Sequence, residues 1–454
     1  MFEKLKKVIS NSKADYIDIR YEKVTTTNIN FTGKELETIG TNSTDGFVLR
    51  VLINGGFSSI TFTKEKDANL ALKIAEENAV LISKIIKKPI ILAKTEVIKD
   101  NFSPALIEDP RDVSIEEKME LIRKYNNIPL NYRNIVTTLT NYYDTSREKY
   151  FVSSEGSEIN ENLITAGIRG MLTSKEGNLL QNIRISSGGS DGFYRIRNQE
   201  ENFENKTKIV LDLLKAAPIH SGTYNCILNP RLAGVFAHEA FGHFSEADVI
   251  GIRPAMRAKM QIGKKIGCEN LSIIDDATMP NQLGFYKYDD EGVPVRKVHL
   301  IKNGILSGRL HSRKTAADFD EPLSGHMVAA DYRYEPIIRM GNIYIEPGNI
   351  TPDEMLEQLN DGLYIIDAKG GETAGENFTF GGQYGYIIKN GKKAGMIRDL
   401  NISGNLYQTL NDISLIGNDL ALSKVGGCGK QQVNIKSCNG GPHVLINNLF
   451  VGGI

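Results

Sequence analysis

Apolar and polar positions divide the chain into two halves of different rhythm. In the first, Tyr16 to Thr26, Asn28 to Phe31 and Gly46 to Leu52 read as strands rich in β-branched and aromatic residues, the last closed by an Asn54-Gly55-Gly56 turn. Lys66 to Lys87 carries Ala68, Leu70, Ala71, Ile74, Ala75, Ala79 and Val80 at helical spacing, which predicts a helix. Another is predicted over Ser114 to Asn126, with Ser114 as N-cap and Glu117 three residues on. Strands recur at Ile135 to Tyr142, Lys149 to Val152 and Asn162 to Thr173, followed by a helix over Glu204 to Ala217. Ser187-Gly188-Gly189-Ser190 reads as a loop tip rather than a phosphate cradle, because no helix with a following Lys-Ser/Thr pair is attached.

The second half is strand-rich and punctuated by glycine. Asn303-Gly304 and Asn390-Gly391 each stand between apolar runs, the strongest short-range hairpin signal. With a boundary at Pro218 to Gly222, the expectation is an α+β protein. Residues 1–217 form an α+β domain, and residues 218–454 an antiparallel, barrel-like β domain carrying the motif helix described next.

That motif is His238-Glu239-Ala240-Phe241-Gly242-His243. Two imidazoles bracketing a carboxylate provide what metal-assisted hydrolysis needs, nitrogen ligands and a base. The histidines stand five residues apart rather than four, which on an ideal α-helix separates them by roughly 140°. A π-type turn of about 4.4 residues would bring them back to roughly 50°. Gly242 makes such a distortion or a helix end easy. Upstream, Asn229-Pro230 reads as an N-cap with proline at the first helical position. Leu232, Val235 and Phe236 then supply a helical apolar face, so the motif falls near the end of a short, partly buried helix. A plain helix-terminal histidine pair with Glu239 in a surface ion pair fits the spacing as well.

Composition narrows the field. Of 454 residues, 54 are Lys or Arg and 55 Asp or Glu, a net charge of −1 that offers no electrostatic case for wrapping nucleic acid. The opening Met1 to Ile9 is a charged amphipathic helix rather than a signal peptide, and no stretch reaches the apolar length of a membrane span. Four unclustered cysteines, Cys226, Cys268, Cys428 and Cys438, contain no C-x-x-C pair and point to a reducing compartment, so a cytoplasmic protein is expected. Cys428 stands out in Val425-Gly426-Gly427-Cys428-Gly429-Lys430, where glycines permit close approach and a nearby cation or metal would favour the thiolate. The same string also fits a tight turn around a small core residue.

These residues resemble the TldD/PmbA metalloproteases, in particular their zinc-bearing TldD branch. The likeness lies in His238, Glu239 and His243 with the acidic continuation Phe244-Ser245-Glu246-Ala247-Asp248, in Cys428-Gly429-Lys430, and in the closing Asn447 to Gly453. Tyr288 to Pro294 is similar to the family's acidic glycine turn, and Arg339 to Asn342, Gly370-Gly371, Phe378 and Phe380 follow in family order. The resemblance implies that His238, His243 and Cys428 bind Zn2+ and that Glu239 is the general base. Cys438 adds a second thiol that could compete for the ion. A thiolate ligand makes the ion a weaker Lewis acid, so a slow enzyme is implied.

Two functions are then in view. One is a zinc peptidase acting on short or unfolded peptides, expected as a dimer with itself or with a PmbA/TldE-type paralogue. The other is a non-catalytic regulatory or scaffold subunit of such a complex. Retention of Glu239 discriminates between them, since a structural metal needs no base.

Overall fold

The computed structural model describes residues 1–424 and 426–453, those at 433–435 as strand backbone only; Val425 and Ile454 lie outside the described residues. The first half is built on one sheet of seven strands. These are β1 (Tyr16–Thr32), β2 (Glu35–Ile53), β3 (Gly56–Phe62), β4 (Lys99–Phe102), β5 (Ile135–Ser153), β6 (Glu158–Glu176) and β7 (Leu179–Gly189). The order is β3-β2-β1-β5-β6-β4, with β7 also on β6.

These strands are longer than the apolar runs predict. Tyr16 to Thr26 and Asn28 to Phe31 are a single strand, as are the two segments predicted in β5. Their continuations alternate threonine, asparagine and tyrosine, which pair across the sheet; Thr27 and Thr41 share a hydroxyl hydrogen bond of 3.0 Å. Ser187 to Gly189 is not a loop tip but the end of β7, and a Cβ at Gly188 would stand 2.5 Å from the Ala166 carbonyl.

Four helices accompany the sheet: α1 (Phe2–Ser10), α2 (Ala68–Ile85), α3 (Ile115–Leu130) and α4 (Glu200–Asp212). Ser114 caps α3 as predicted, accepting from the Glu117 N–H at 3.1 Å. The helix then runs past Asn126 to Leu130, with Pro129 in its last turn. By contrast, α4 stops at Asp212, and Ala217-Pro218 forms a short strand beside Ile397-Arg398 rather than the predicted helix end.

In the second half, strands Gly222–Leu228, Gly362–Ala374, Asn377–Lys389, Leu400–Asn405 and Val444–Gly452 close into a five-strand barrel. One pairing departs from the antiparallel expectation: 222–228 runs parallel to 362–374. The predicted Asn-Gly turns at 303–304 and 390–391 are present with positive φ at both residues, and Asn54-Gly55 is of the same kind. Against the barrel lies α5 (Pro230–Phe236), whose Phe236 ring meets Phe378 and Phe380 at centroid distances of 5.6 and 6.2 Å. Burying each such ring contributes roughly 2–3 kcal/mol. Among the described residues, no helix is long and apolar enough to cross a membrane.

The acidic turn at 288–294 joins the halves. Asp290 meets Arg20 at 2.7 Å and both Arg147 and Lys149 at 3.3 Å, while Glu291 meets Arg50 at 3.3 Å. Burial alone would push the Asp290 carboxyl up; the three cations outweigh it and hold it below the usual carboxylate range. Gly292 has φ of +73° and leaves no room for a Cβ, which would stand 2.4 Å from the Phe151 ring.

Candidate metal centre

The chain reaches the motif through α5, which starts as its sequence dictates. Asn229 accepts from the Leu232 N–H at 3.0 Å, and Pro230 takes the first helical position. After Phe236 the backbone widens into a single π-turn, Ala237–Phe241, closed by the Gly242 N–H on the Ala237 carbonyl, and then tightens into a 3₁₀ turn over Gly242–Ser245. This is the departure that the five-residue spacing demands. It brings the His238 and His243 rings to a centroid distance of 5.0 Å, nearly perpendicular at 86°. Gly242 serves a different purpose from the one its sequence suggests. Its dihedrals are helical, but a Cβ there would stand 2.2 Å from the Met340 sulfur, so the residue is small for space rather than for freedom.

Cys428 arrives on the short strand Cys428–Lys430. Its Sγ lies 3.0 Å from His238 Nε2 and 3.6 Å from His243 Nε2, and the three ligand atoms fall within 4.8 Å of one another. Zinc bonded at its usual N and S distances in a tetrahedron separates such atoms by about 3.3–3.6 Å. The second separation already matches; the first needs an expansion of about half an ångström. The donor set of two imidazoles and a thiol therefore fits zinc.

Burial by itself pushes the Cys428 thiol up, but hydrogen bonds from His238 and His243, with the charge of Arg339, outweigh it and bring the thiol down to about 5. For His243 burial works downward, and its bonds to Cys428 and Glu246 overcome it, raising the imidazole to about 9. The lysine two residues after Cys428 is not the cation responsible. Lys430 is held by Asp248 at 2.8 Å, Glu246 at 3.1 Å and the Ile338 carbonyl, and so staples the cysteine strand to the motif.

Glu246 organises the surroundings. Fully buried, it sits 3.3 Å from His243 Nδ1 and 3.1 Å from the buried Arg339, an arrangement that fixes which ring nitrogen faces Cys428. His238 Nδ1 has no such partner among the described residues. Glu239 points into the cleft, its Oε2 3.9 Å from His243 Nε2, and the Thr373 hydroxyl contacts both its Oε2 (3.2 Å) and its backbone carbonyl (2.6 Å). Gly371, on the same strand as Thr373, touches Glu239; a Cβ would stand 2.8 Å from its Cγ. The cleft holds about 740 Å³ and is walled by the π-turn, the segment Gly370–Thr373 and the segment Gly426–Lys430.

Cys438, His326 and Arg339 are not part of the ligand group. The Cys438 sulfur faces the Ser423 carbonyl at 3.1 Å, outside the ligand group, and burial pushes its thiol up to about 11. His326 is satisfied between the Ser324 carbonyl and Asp275, and Arg339 is the internal ion pair with Glu246. Glu246 was visible only as part of an acidic run, and nothing local in the sequence marked Thr373, which reaches the site from a distant strand.

A cluster of two histidines and a cysteine, His243 half-buried, beside a cleft-facing glutamate and carried on a barrel-bound π-turn, is a donor arrangement of the kind a metallohydrolase needs. The sequence matches the family models described as PmbA/TldA metallopeptidase domain 1 over residues 17–82, central domain over 108–217 and C-terminal domain over 221–453. The chain belongs to the PmbA/TldD metallopeptidase family. It is 33% identical to a metalloprotease of Synechocystis sp. over 97% of this chain and 96% of that protein. It is 35% identical to a metalloprotease of Methanocaldococcus jannaschii over 97% of each chain, and 30% identical over the full length of both to a zinc metalloprotease TldD homolog of Saccharolobus solfataricus. Among solved structures, its fold resembles that of TldE from Thermococcus kodakarensis, with a TM-score of 0.80 at 18% identity over the whole of both chains.

Proposed function

We propose that this metallopeptidase-family chain is a zinc-dependent peptidase that hydrolyses short or unfolded peptides. The observation that carries the reading is the placement of Glu239: a carboxylate outside the ligand group, directed into the cleft beside three converging donors, a feature that a purely structural metal or a scaffold does not require. His238, His243 and Cys428 would hold the ion. Zinc so bound supplies Lewis acidity and lowers the pKa of water toward neutrality. Glu239 accepts a proton from the attacking water at its Oε atoms and returns it to the departing amine. The Thr373 hydroxyl, bonded to the Glu239 backbone carbonyl and in contact with Oε2, keeps the carboxylate aimed. Glu246 holds the His243 ring in the orientation that leaves Nε2 toward the cleft.

The substrate's backbone has a natural seat. Strand Gly362–Ala374 pairs with 377–389 on one side, but on the other its ladder to 222–228 covers only Leu363 to Ile365. Residues 370–373 thus present an edge to the cleft, among the described residues without a ladder partner, where an extended peptide adds as a strand. Such main-chain pairing reads no sequence, which suits unfolded substrates. Dimerisation, with itself or with a PmbA/TldE-type paralogue, is part of the proposal and rests on the family alone.

Native mass spectrometry combined with peptide digestion tests the reading. One zinc per subunit in a dimer, with hydrolysis of unstructured peptides that stops on chelation, is the expected result. A zinc-loaded assembly that leaves every unstructured peptide intact, with or without a PmbA-type partner, would support the scaffold reading instead. Gly371→Ala offers a finer check. The added methyl has to displace Glu239, so kcat should fall by about 100-fold, the cost of an ångström-scale misplacement. Metal content should stay unchanged.

A further inference from the structure

A second cavity, of about 540 Å³, lies on the polar face of the first sheet and adjoins the metal cleft at Gly426, which lines both. Strand alternation builds its floor: Asn42, Thr26, Thr145 and Thr165 stand side by side across β2, β1, β5 and β6. Two of the four cations on its wall are already neutralised, Arg147 by Glu22 and Asp290, and Arg333 by Asp331. Arg169 and Lys436 have no ion-pair partner among the described residues. The carboxylates that influence Lys436, Glu22 and Glu161, already hold Arg147 and Lys149.

Two hydroxyls face the same space unsatisfied. Thr165 is 1% exposed, yet its Oγ1 has no hydrogen-bond partner, and neither has the Tyr143 hydroxyl. The Tyr143 ring packs closely on Gly167, where a Cβ would stand 2.7 Å from it, and the Arg169 guanidinium lies 5.0 Å from its centroid. Each buried hydroxyl left without a partner costs about 1–3 kcal/mol, so a group that accepts from both is favoured there. Burial, then the neighbouring Arg147, brings the Lys436 ammonium down to about 8, and it is still charged at neutral pH. Two hydroxyl donors and two uncompensated cations match one chemical group, a carboxylate.

The path to the metal centre is short. Arg169 donates to the Gly426 carbonyl at 2.7 Å, and Gly426 to Cys428 spans at most about 7 Å of backbone. Gly426 itself packs directly on the Ser437 carbonyl, where a Cβ would stand 2.2 Å away. A peptide in the cleft, advancing about 3.3 Å per residue, can place a carboxylate in the cavity two to four residues from the bond at the metal centre. We propose, on the peptidase reading, that this cavity is a carboxylate-binding subsite for the peptide, engaged by Arg169, Lys436, Thr165 and Tyr143. The carboxylate is either the peptide's C-terminus or an acidic side chain.

Three fluorescein-labelled probes test this: an alanine pentapeptide with a free C-terminus, its C-terminal amide, and the amide carrying one internal glutamate. Each is titrated by fluorescence anisotropy against the full-length, zinc-loaded Glu239→Gln protein. The free acid should bind at least about tenfold more tightly than the amide, the yield of a charge-assisted hydrogen bond. Lys436→Met and Arg169→Met should each bring that ratio toward one without changing affinity for the amide. Thr165→Val removes the unpaired hydroxyl at nearly constant shape and should lower the ratio while preserving the thermal midpoint. If the glutamate amide matches the free acid, the subsite reads a side chain; if it matches the plain amide, it reads the C-terminus. Equal affinities for all three probes, or no binding of any, overturns the subsite. Failure of the peptidase reading looks different: discrimination among the probes persists, yet active protein leaves the unlabelled peptides intact.

Discussion

Glu239→Gln protein is expected to turn peptides over about 10²–10⁴-fold more slowly than the native chain, the usual contribution of a positioned general base. The substitution preserves shape and keeps a hydrogen-bond acceptor at Oε, so the contact with the Thr373 hydroxyl survives while the ability to take up a proton is lost. Because Glu239 is not among the three converging ligand groups, zinc content by elemental mass spectrometry should equal that of the native protein. The fall should appear in kcat with KM nearly constant, the signature of an interaction made in the transition state rather than in the bound complex. Two results would change the assignment. Loss of zinc would make Glu239 a ligand, and unchanged turnover would move the base to another residue.

The parts of this protein that were legible in its sequence are those fixed by local chemistry. The Asn-Gly hairpins at 303–304 and 390–391 follow from the left-handed conformations that asparagine and glycine tolerate. The cap at Asn229 and the start of α5 follow from the orphan N–H groups of a helix. The π-turn was legible for a mechanical reason, since two histidines five apart cannot share a tetrahedral ion on an undistorted helix. Strand lengths were not legible. The first half of β2 and the middle stretches of β1 and β5 bury little apolar surface and are held by ladder hydrogen bonds and cross-strand hydroxyl contacts, so hydrophobic alternation underestimates them. Long-range roles were equally hidden. The Asp289-Asp290-Glu291 run looked like a turn, yet Asp290 and Glu291 are buried against arginines and a lysine from three strands of the other half. Removing one member of such a buried cluster usually costs far more than the intact cluster contributes. The two unpaired hydroxyls of the second cavity belong to this hidden class, because nothing in the sequence singled out Tyr143 or Thr165 until their neighbours were known.

Cys428→Ser should release zinc under conditions in which Cys438→Ser retains it. Both cysteines are buried and lie within eleven residues on one glycine-rich stretch, so sequence proximity does not separate them. Geometry does. The Cys428 sulfur converges with His238 Nε2 and His243 Nε2, whereas the Cys438 sulfur faces the Ser423 carbonyl on a strand running beside Asn342 to Tyr344. Serine shortens the reach of the donor and replaces a soft thiolate with a hydroxyl that zinc binds poorly at neutral pH. Zinc affinity, measured by competition with a chromophoric chelator, should therefore drop by more than the roughly 10–100-fold that loss of an outer-shell partner costs. Lys430 and Glu246 continue to staple strand 428–430 to the motif, so the apoprotein should keep its fold and its far-ultraviolet spectrum. Equal zinc affinity in the two serine variants would remove Cys428 from the ligand set. The two imidazoles would then have to find their third partner among the groups that face the cleft, one of which is the Glu239 carboxylate, 3.9 Å from His243 Nε2.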